Sequence, residues 1–325
     1  MIDRAALESA AALVHSVMPP TPQIAWPLLS ARVGAEVWVK HENATPVGAF
    51  KIRGGLVYLD DLKRREPAYP GVIAATRGNH GQSVTVAAAR NGLKAVIVVP
   101  EGNSREKNAA MAAQGAELIE HCHDFQASLE HARGLAEERG LHMVPSFHDL
   151  LIRGVGTYAL EFLSAVPDLD TVYVPIGLGS GLCGMIAARD ALGLTTDIVG
   201  VVAEQAPAYA LSYRAGKPVS TNAADTMADG LACRVPVDEA VTRINAGAAR
   251  VVTVPEAGIK AAMRHLFTDT HHVAEGAGAA AMAAVLQEQN KLKNKKVGIV
   301  LTGGNIDLDV YRAVLSERDS EECGP

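Results

Sequence analysis

Short runs of branched apolar residues alternate along this chain with longer segments rich in alanine and leucine. Most of the short runs are apolar at every position, which is typical of strands covered by helices on both faces. The pattern predicts strands at 36–40, 72–75, 95–99, 117–119, 142–145, 171–175, 198–203, 251–254 and 296–301. It predicts helices at 82–91, 106–114, 127–138, 157–165, 183–192, 256–266 and 275–287. Such an alternation indicates parallel sheets joined by right-handed crossovers.

The order of these elements predicts two domains. A chain of 325 residues exceeds what a single core usually holds. The segment 71–147 forms a self-contained series of strand–helix units between a charged, proline-containing stretch and a loop at 146–154. We therefore expect an α/β protein of two domains, each an open, mostly parallel sheet with helices on both faces. Residues 71–147 would form a small inserted α/β domain, and 1–70 plus 148–325 would form the large domain.

Composition and charge exclude several classes of function. Aromatic residues make up 4% of the chain and the net charge is −6 at pH 7, which argues against a protein that stacks on or wraps nucleic acid. Asp3, Arg4 and Glu8 interrupt the first apolar stretch, unlike a secretory signal, and no uncharged run is long enough to span a bilayer. The cysteines lack the spacing of a disulfide or zinc motif. We expect a cytoplasmic protein without a nucleic-acid or membrane partner, and a homodimer stays open.

A lysine stands in an unusual setting in the first of four glycine-containing loops. Lys51 lies between Phe50 and Ile52, with glycines on both sides of the segment. Burial there would lower the pKa of the amine and make it available as the nucleophile of a Schiff base. From the residues alone, a lysine that reaches solvent at the start of a helix is the alternative.

Two other loops carry polar groups at the ends of predicted strands. The loop 76–82 brings Thr76, Asn79 and His80 to the start of a helix, where hydroxyl, amide and imidazole groups suit a carboxylate. The loop after the last strand places the hydroxyl of Thr302 where it can meet a ring nitrogen. An ordinary turn with polar caps is the alternative in both places.

The loop 177–184 is rich in glycine and follows the predicted strand at 171–175. Its glycines let several backbone N–H groups point at one phosphate. The same residues also match a dinucleotide-binding pattern, with Gly179, Gly181 and Gly184 followed by Glu204 at the end of a strand. A nicotinamide dehydrogenase is therefore a second hypothesis for this loop.

Taken together, the four loops resemble the motifs of the pyridoxal-phosphate enzymes of fold type II, in the group of threonine/serine dehydratases and serine racemases. Their order and spacing agree across residues 20–310. The matching segments are Ala49-Phe50-Lys51-Ile52-Arg53-Gly54, Thr76-Arg77-Gly78-Asn79-His80-Gly81, Gly177 to Gly181, and Thr302-Gly303-Gly304-Asn305. The resemblance implies a tryptophan synthase β-like fold, pyridoxal 5'-phosphate as the cofactor of the large domain, and an amino acid as substrate. It leaves the NAD-dependent dehydrogenase as a remote alternative.

The resemblance also implies roles for the matching positions. Lys51 would form the Schiff base and act as the base at the substrate Cα, while Phe50 would pack against the ring. Asn79 would bond the ring hydroxyl, and Thr302 would meet the pyridine nitrogen, where a hydroxyl favours loss of a β-leaving group over transamination. The residues implied to hold the phosphate are Gly177, Leu178, Gly179, Ser180 and Gly181. Those implied to receive the substrate carboxylate are Thr76, Asn79 and His80.

Some positions depart from the family's pattern. Ala49 stands where a serine is usual, and Arg77 stands where racemases of this group have a serine that exchanges a proton. A guanidinium stays charged at neutral pH, so Arg77 would instead clamp a substrate carboxylate or turn outward to an acidic side chain. The family's divalent-cation site is matched by Glu204 and the carbonyl of Ala208, but its aspartate is replaced by Ala210. We therefore expect no metal there.

Two further segments contain candidate side chains. Glu275 precedes a glycine-rich helix start that resembles the family's segment near the cofactor, although an exposed helix-start acid is the alternative. The run of His121, Cys122, His123 and Asp124 has the residue types of a metal site. Adjacent residues of a strand point to opposite faces, however, so we expect a surface loop instead.

The sequence therefore predicts a PLP-dependent ammonia-lyase, or dehydratase, that converts a β-hydroxy-α-amino acid such as L-threonine or L-serine to a 2-oxo acid and ammonia. A bulkier aryl-serine such as phenylserine, or 3-hydroxyaspartate, stays open because spacing does not reveal the residues that face the β-substituent. An amino-acid racemase on the same fold is the main alternative. A binding protein without catalysis is a weaker one, since a fold does not fix a function.

Overall fold

The computed structural model describes residues 2–121 and 125–317. Its helices are α1 (Arg4–His15), α2 (Pro27–Val33), α3 (Lys51–Arg65), α4 (Asn79–Arg90), α5 (Arg105–Ala113), α6 (Phe125–Arg139), α7 (Asp149–Ala165), α8 (Ser180–Ala191), α9 (Ala208–Ala215), α10 (Asp238–Gly247), α11 (Glu256–Thr270), α12 (Gly276–Glu288) and α13 (Leu308–Ser316). Its strands are β1 (Gln23–Ala25), β2 (Glu36–His41), β3 (Gly71–Ala75), β4 (Lys94–Val99), β5 (Glu117–Glu120), β6 (His142–Met143), β7 (Thr171–Pro175), β8 (Asp197–Ala203), β9 (Arg250–Val254) and β10 (Lys296–Leu301).

These strands form two sheets. The large sheet has the order β1-β2-β10-β7-β8-β9 and is parallel except for β1. The small sheet has the order β5-β4-β3-β6 and is parallel throughout. The predicted α/β fold with mostly parallel sheets is confirmed. The small sheet draws its strands only from the segment between Gly71 and Met143, while the domain boundaries at 70/71 and 147/148 stay a prediction.

Helices cover both faces of each sheet. On the large sheet, α2, α11, α12 and α13 pack on one face, and α7, α8 and α10 pack on the other. On the small sheet, α3, α4 and α5 cover one face and α6 covers the other. The apolar runs of the sequence are buried for this reason. Gly298 in the centre of β10 has no side chain, which makes room for the ring of Phe162 against the sheet. Among the described residues, no helix is both long and apolar enough to cross a membrane.

The strand predictions are confirmed, with ends that differ by one or two residues, but several other elements differ from expectation. Six of the described helices were not predicted: α1, α2, α3, α9, α10 and α13. The edge strand β1 was not predicted, because three partly buried residues leave no periodic signal. Helix α7 begins at Asp149 rather than at 157, and the His148 side chain caps it. The predicted loop at 146–154 is therefore helical from Asp149 onward. In the structure, Gly154 lies so close to α3 that a Cβ would stand 2.3 Å from the carbonyl oxygen of Arg53.

A buried cluster of charges fixes the start of α3. Arg53 donates to Glu42 at 2.7 Å and to Glu161 at 2.6 Å, and Lys40 donates to Glu161 at 2.6 Å. Arg53, Lys40 and Glu42 are fully buried. Burial would raise the pKa of Glu161, but Arg53 and Lys40 lower it to about 2. The cluster therefore holds the first turn of α3 in one register against β2 and α7.

Candidate active site

The structure places Lys51 at the first position of α3, facing the start of α8. Its Nζ lies 3.3 Å from Ser180 Oγ and 5.2 Å from the centre of the Phe50 ring. Its backbone carbonyl accepts a hydrogen bond from Ser83 Oγ at 2.6 Å, which ties the lysine to α4. Burial lowers the pKa of Lys51 to about 8. A fraction of the amine is therefore neutral near physiological pH.

The first and last of the four loops lie side by side. Ala49 and Gly303 form an isolated antiparallel bridge, and the Phe50 N–H donates to the Thr302 carbonyl at 3.0 Å. Thr302 is buried at the carboxyl end of β10. The two segments that stand furthest apart in the sequence are thus joined by backbone hydrogen bonds.

The glycine-rich loop lies between β7 and the N-terminus of α8. Gly179 has a φ of +99° and immediately precedes Ser180, where α8 begins. A Cβ at Gly177 would stand 2.3 Å from the carbonyl oxygen of Gly230, so only glycine fits. Leu178 is partly buried between them. Backbone N–H groups at the start of a twelve-residue helix suit a phosphate, and the cation of Lys51 stands next to them.

An aromatic pair packs behind this loop. The rings of Phe50 and Tyr158 meet edge to face at 6.2 Å, and Tyr158 Oη donates to the Gly181 carbonyl at 2.9 Å. A Cβ at Gly181 would lie 3.6 Å from the Phe50 ring. Tyr158 was missed in the sequence because a tyrosine within an apolar helix resembles any core residue. It fixes the position of α8 relative to the lysine.

The loop between β3 and α4 is shaped by Thr76. Its Oγ1 accepts from the N–H groups of Gly78 at 2.9 Å and Gly81 at 3.3 Å, which leaves its own O–H as a donor. Gly78 has a φ of +150°. Arg77 is exposed, and no hydrogen bond or ion pair of its side chain occurs within the described part of the chain.

His80 contributes a neutral imidazole to the site. Burial, together with the positive charge of Lys51, lowers its pKa to about 3. Its Nε2 atom is buried and has no hydrogen-bond partner among the residues that the structure describes. A buried polar atom without a partner is uncommon in a folded protein, and at this place it is a group ready to bind a ligand.

Asn79 belongs to a hydrogen-bonded network that joins the two sheets. Its Nδ2 donates to Glu275 Oε1 at 2.7 Å, and its Oδ1 accepts from Asn305 Nδ2 at 2.8 Å. One amide hydrogen of Asn79 remains for another acceptor. Glu275 is buried, so the alternative of an exposed helix-start acid is wrong.

Two members of this network were missed in the sequence. Lys107 Nζ lies 2.6 Å from Asp229 Oδ2 and 3.2 Å from Glu275 Oε2. In the sequence, a lysine in the first turn of a short helix cannot be told from a solvent-exposed one. Its burial becomes visible only in the folded structure, where its acidic partners lie beside it. For Asp229, the following glycine was the sole signal in the sequence.

The three positions that match the family's cation site differ in exposure. Glu204 is exposed after β8, and Ala208 and Ala210 are buried in α9. No group of three or more histidine, cysteine, aspartate or glutamate side chains suited to a metal occurs in residues 2–121 and 125–317. That no divalent cation binds at Glu204 stays a prediction. The other candidate metal site was the run 121–124. Its first residue, His121, stacks on His131 with ring centres 3.7 Å apart, and positions 122–124 lie outside the described residues.

These groups fit a ring that carries an aldehyde and a phosphate. A neutral lysine amine can form an imine with the aldehyde. The helix start at Ser180 can bind the phosphate. Phe50, Asn79 and the buried Thr302 lie on the segments that surround the amine. A nicotinamide site also binds phosphate, but it does not require a lysine of lowered pKa beside the phosphate site. This lysine therefore favours the aldehyde cofactor over the dehydrogenase hypothesis.

Comparison with known proteins identifies relatives across the chain. The family model of the pyridoxal-phosphate dependent enzymes matches residues 15–303. The L-threonine ammonia-lyase of Thermotoga maritima is 34% identical over 89% of this chain and 72% of its own length. The L-threo-3-hydroxyaspartate ammonia-lyase of Saccharomyces cerevisiae is 33% identical over 94% of this chain and 93% of its own length. The chain spans only 60% of the biosynthetic L-threonine dehydratase of Haemophilus influenzae, at 32% identity over 95% of this chain.

Solved structures have the same fold. Maize serine racemase superposes with a TM-score of 0.90 and 28% sequence identity, over 96% of both chains. The relatives thus include lyases and a racemase on one architecture, and the reaction has to be argued from the residues of the site.

Proposed function

Because the chain belongs to the family of pyridoxal-phosphate dependent enzymes, we propose that it is an ammonia-lyase for β-hydroxy-α-amino acids. Its products would be a 2-oxo acid and ammonium, with L-threonine and L-serine as the first substrates to test. The observation that carries the proposal is Lys51, a partly buried lysine with a pKa of about 8 beside the anion cradle at Ser180. The names of two relatives, an L-threonine and a hydroxyaspartate ammonia-lyase, support it.

The resemblance to the family implies which residues would hold the cofactor. Lys51 would provide the covalent attachment, and the backbone of the loop that ends at Ser180 would bind the phosphate. Phe50 would lie against one side of the ring. The remaining amide hydrogen of Asn79 would donate to the ring oxygen, and the hydroxyl of Thr302 would meet the ring nitrogen. When bound, pyridoxal 5'-phosphate withdraws electrons from the substrate Cα and makes its proton acidic.

Lys51 is the base in the proposed reaction. With the substrate bound, the neutral amine of Lys51 would take the Cα proton, and the ammonium so formed would return that proton to the β-hydroxyl, which would leave as water. Water later returns in hydrolysis, so that the net change is loss of ammonia from the amino acid. The lowered pKa of Lys51 keeps enough neutral amine for this step near pH 7.

The loop between β3 and α4 binds the substrate carboxylate. Both lone pairs of the Thr76 hydroxyl are engaged, so its O–H points outward as a donor. The N-terminus of α4, at Asn79, adds its helix dipole. His80 stays neutral because of its burial and the nearby Lys51, and it offers a ring N–H without charge. Arg77, exposed at the same loop, provides a second anchor for a carboxylate.

The substrate class is tested by 2-oxo acid release. The purified holoenzyme is offered L-threonine, L-serine, threo-3-hydroxyaspartate and threo-phenylserine, and product is measured with a hydrazine reagent. We expect turnover with at least one of these, and none with the Lys51→Ala variant. Borohydride reduction of the wild type should remove the visible absorption band of the cofactor and leave the reduced cofactor covalently attached to Lys51. Turnover by Lys51→Ala at the wild-type rate would refute the assignment.

A racemase is the second candidate, and maize serine racemase is the structural relative that raises it. Racemisation needs a second group that exchanges a proton on the opposite face of the substrate Cα. Arg77 stands in the loop where such a group is expected, and it remains protonated. We therefore expect elimination to exceed racemisation greatly. Equal rates of both with L-serine, measured by chiral chromatography, would overturn the lyase assignment.

A cytoplasmic location stays a prediction from the sequence. It is supported by Cys183 and Cys233, which are both buried and free of any disulfide.

A further inference from the structure

Lys107 connects the unit of the small sheet with the unit of the large sheet. It projects from α5, yet its ion-pair partners are Asp229, in a 3-10 turn, and Glu275, at the start of α12. The side chains of Lys107 and Glu275 are 5% and 4% exposed, whereas that of Asp229 is 31% exposed. An ion pair this deeply buried is not a surface contact between two domains.

The same side chain also touches the proposed substrate-binding loop. A Cβ at Gly78 would stand 2.4 Å from Lys107 Cδ, so the lysine stem lies directly beneath the backbone of this glycine. Glu275, the partner of Lys107, accepts the hydrogen bond of Asn79. Lys107 therefore contacts the loop at Gly78 directly and reaches its neighbour Asn79 through one carboxylate.

The hydrogen-bonding pattern of Glu275 depends on its charge. As a carboxylate it can only accept, which matches the donor Nδ2 of Asn79 at Oε1. Its Oε2 lies 3.2 Å from Lys107 Nζ but makes no well-directed hydrogen bond to any described residue. Lys107 thus acts on Glu275 mainly through charge. If Glu275 bound a proton, Oε1 could still accept from Asn79, but a neutral carboxyl is a weaker acceptor than a carboxylate, so the bond that orients the amide of Asn79 would weaken.

We propose that Lys107 is a positioning residue for the elimination reaction, which keeps Glu275 ionised and thereby turns the amide of Asn79 toward the cofactor. Because the lysine belongs to the small-sheet unit, this orientation exists only while the two units are docked. The inference rests on the proposed function for its catalytic part. Its electrostatic part concerns the protein alone.

The titration of Glu275 sets the sign of the expected effect. Burial raises its pKa above the ordinary value, and Lys107 opposes this rise. The titratable groups that face it are Lys107 from α5 and Asp229 from the 3-10 turn; Asn79 from α4 faces it without titrating. Removal of Lys107 leaves two neighbouring carboxylates without their cation. Glu275 then binds a proton at a higher pH than in the wild type.

The test uses Lys107→Met, which keeps the stem beside Gly78 and removes the charge. We expect kcat at pH 7 to fall at least tenfold and to recover toward the wild-type value as the pH rises, since Glu275 ionises again. KM should change less than threefold. The matched control is Arg105→Met on the same helix, whose partner Asp309 forms an exposed pair; it should keep the wild-type profile.

A second measurement uses the protein without cofactor. An acid whose folded pKa lies above its unfolded pKa makes stability fall as the pH rises between the two values. Urea unfolding of Lys107→Met should therefore show an additional fall in stability with pH, over the range up to the new pKa of Glu275. The double variant Lys107→Met/Glu275→Gln should lack this additional fall.

The outcomes separate the inference from the proposed function. An equal loss of kcat at every pH, or a wild-type profile in Lys107→Met, overturns the positioning role. An inactive wild type whose Lys107→Met variant shows the additional pH dependence of stability refutes the lyase assignment and keeps the electrostatic pair. If the wild type is active but Lys107→Met lacks the additional pH dependence of stability, the inference is refuted and the lyase assignment is kept. If Lys107→Met does not fold, Lys107→Gln is measured in its place with the same criteria.

Discussion

The pKa of Lys51 is low because the amine is buried without a counter-ion, and a single substitution tests this cause. Ser180 Oγ lies 3.3 Å from Lys51 Nζ, so Ser180→Asp places a carboxylate near the amine. At a separation of about 4 Å and an effective dielectric constant of about 20, the attraction amounts to ~4 kcal/mol. That corresponds to roughly three pKa units. Desolvation of the new carboxylate reduces the effect, so we expect a rise of about one to three units from the value of about 8.

The assay is pulse acetylation of the protein without cofactor at a series of pH values, read by peptide mass spectrometry. Only the neutral amine reacts, so the midpoint of labelling reports the pKa of each lysine. Exposed Lys217 serves as the reference within the same sample. In the wild type, Lys51 should react with a midpoint near 8. In Ser180→Asp, labelling at pH 8 should slow because more of the amine is protonated.

Ser180→Asn is the matched control, since it has the shape of aspartate without the charge. It should leave the midpoint of Lys51 close to that of the wild type. Equal midpoints in the Asp and Asn variants would show that the amine does not lie beside residue 180. A wild-type midpoint equal to that of Lys217 would refute the claim that burial lowers the pKa.

Three further predictions follow from the site and its support. Arg77→Ser should raise KM for the preferred substrate by one to two orders of magnitude, about 1.4 to 2.7 kcal/mol; unchanged KM and kcat for every substrate would show that Arg77 is structural. Exhaustive chelation with EDTA should leave turnover intact, because the site of Glu204 lacks a carboxylate at Ala210; restoration of a lost activity by magnesium would contradict this. Arg53→Met should lower the free energy of unfolding by about 3 to 5 kcal/mol, since it leaves Glu42 and Glu161 buried without their main partner; denaturant titration at pH 7 measures it.

The sequence was informative where one local pattern fixed the structure. Uniformly apolar runs predicted the buried strands, and glycine-rich loops predicted the segments at their carboxyl ends. The glycines at Gly177 and Gly179 could be interpreted directly, because a close approach of Gly230 and a positive φ each exclude a side chain. In these cases the physical requirement and the residue type occupy the same few positions.

The sequence was silent where a side chain takes its role from distant partners. Lys107 and Tyr158 have no local feature that separates them from a surface lysine and a core aromatic. Their roles arise from contacts with Glu275 and Gly181, which follow only from the packing of helices. The start of α7 was missed for the same reason, since the close packing of Gly154 against Arg53 involves another helix.

The position of β10 in the large sheet has a consequence for how the protein is synthesised. β10 lies between β2 and β7, so neither strand has its central partner until residue 301 has left the ribosome. The small sheet, by contrast, is complete once Met143 is made. We expect nascent chains to carry a folded small sheet beside two unpaired strand edges, which invite aggregation until β10 inserts between them. A chain released before β10 would keep Lys51 but have neither Thr302 nor the backbone bridge to Gly303, and so no site for the cofactor.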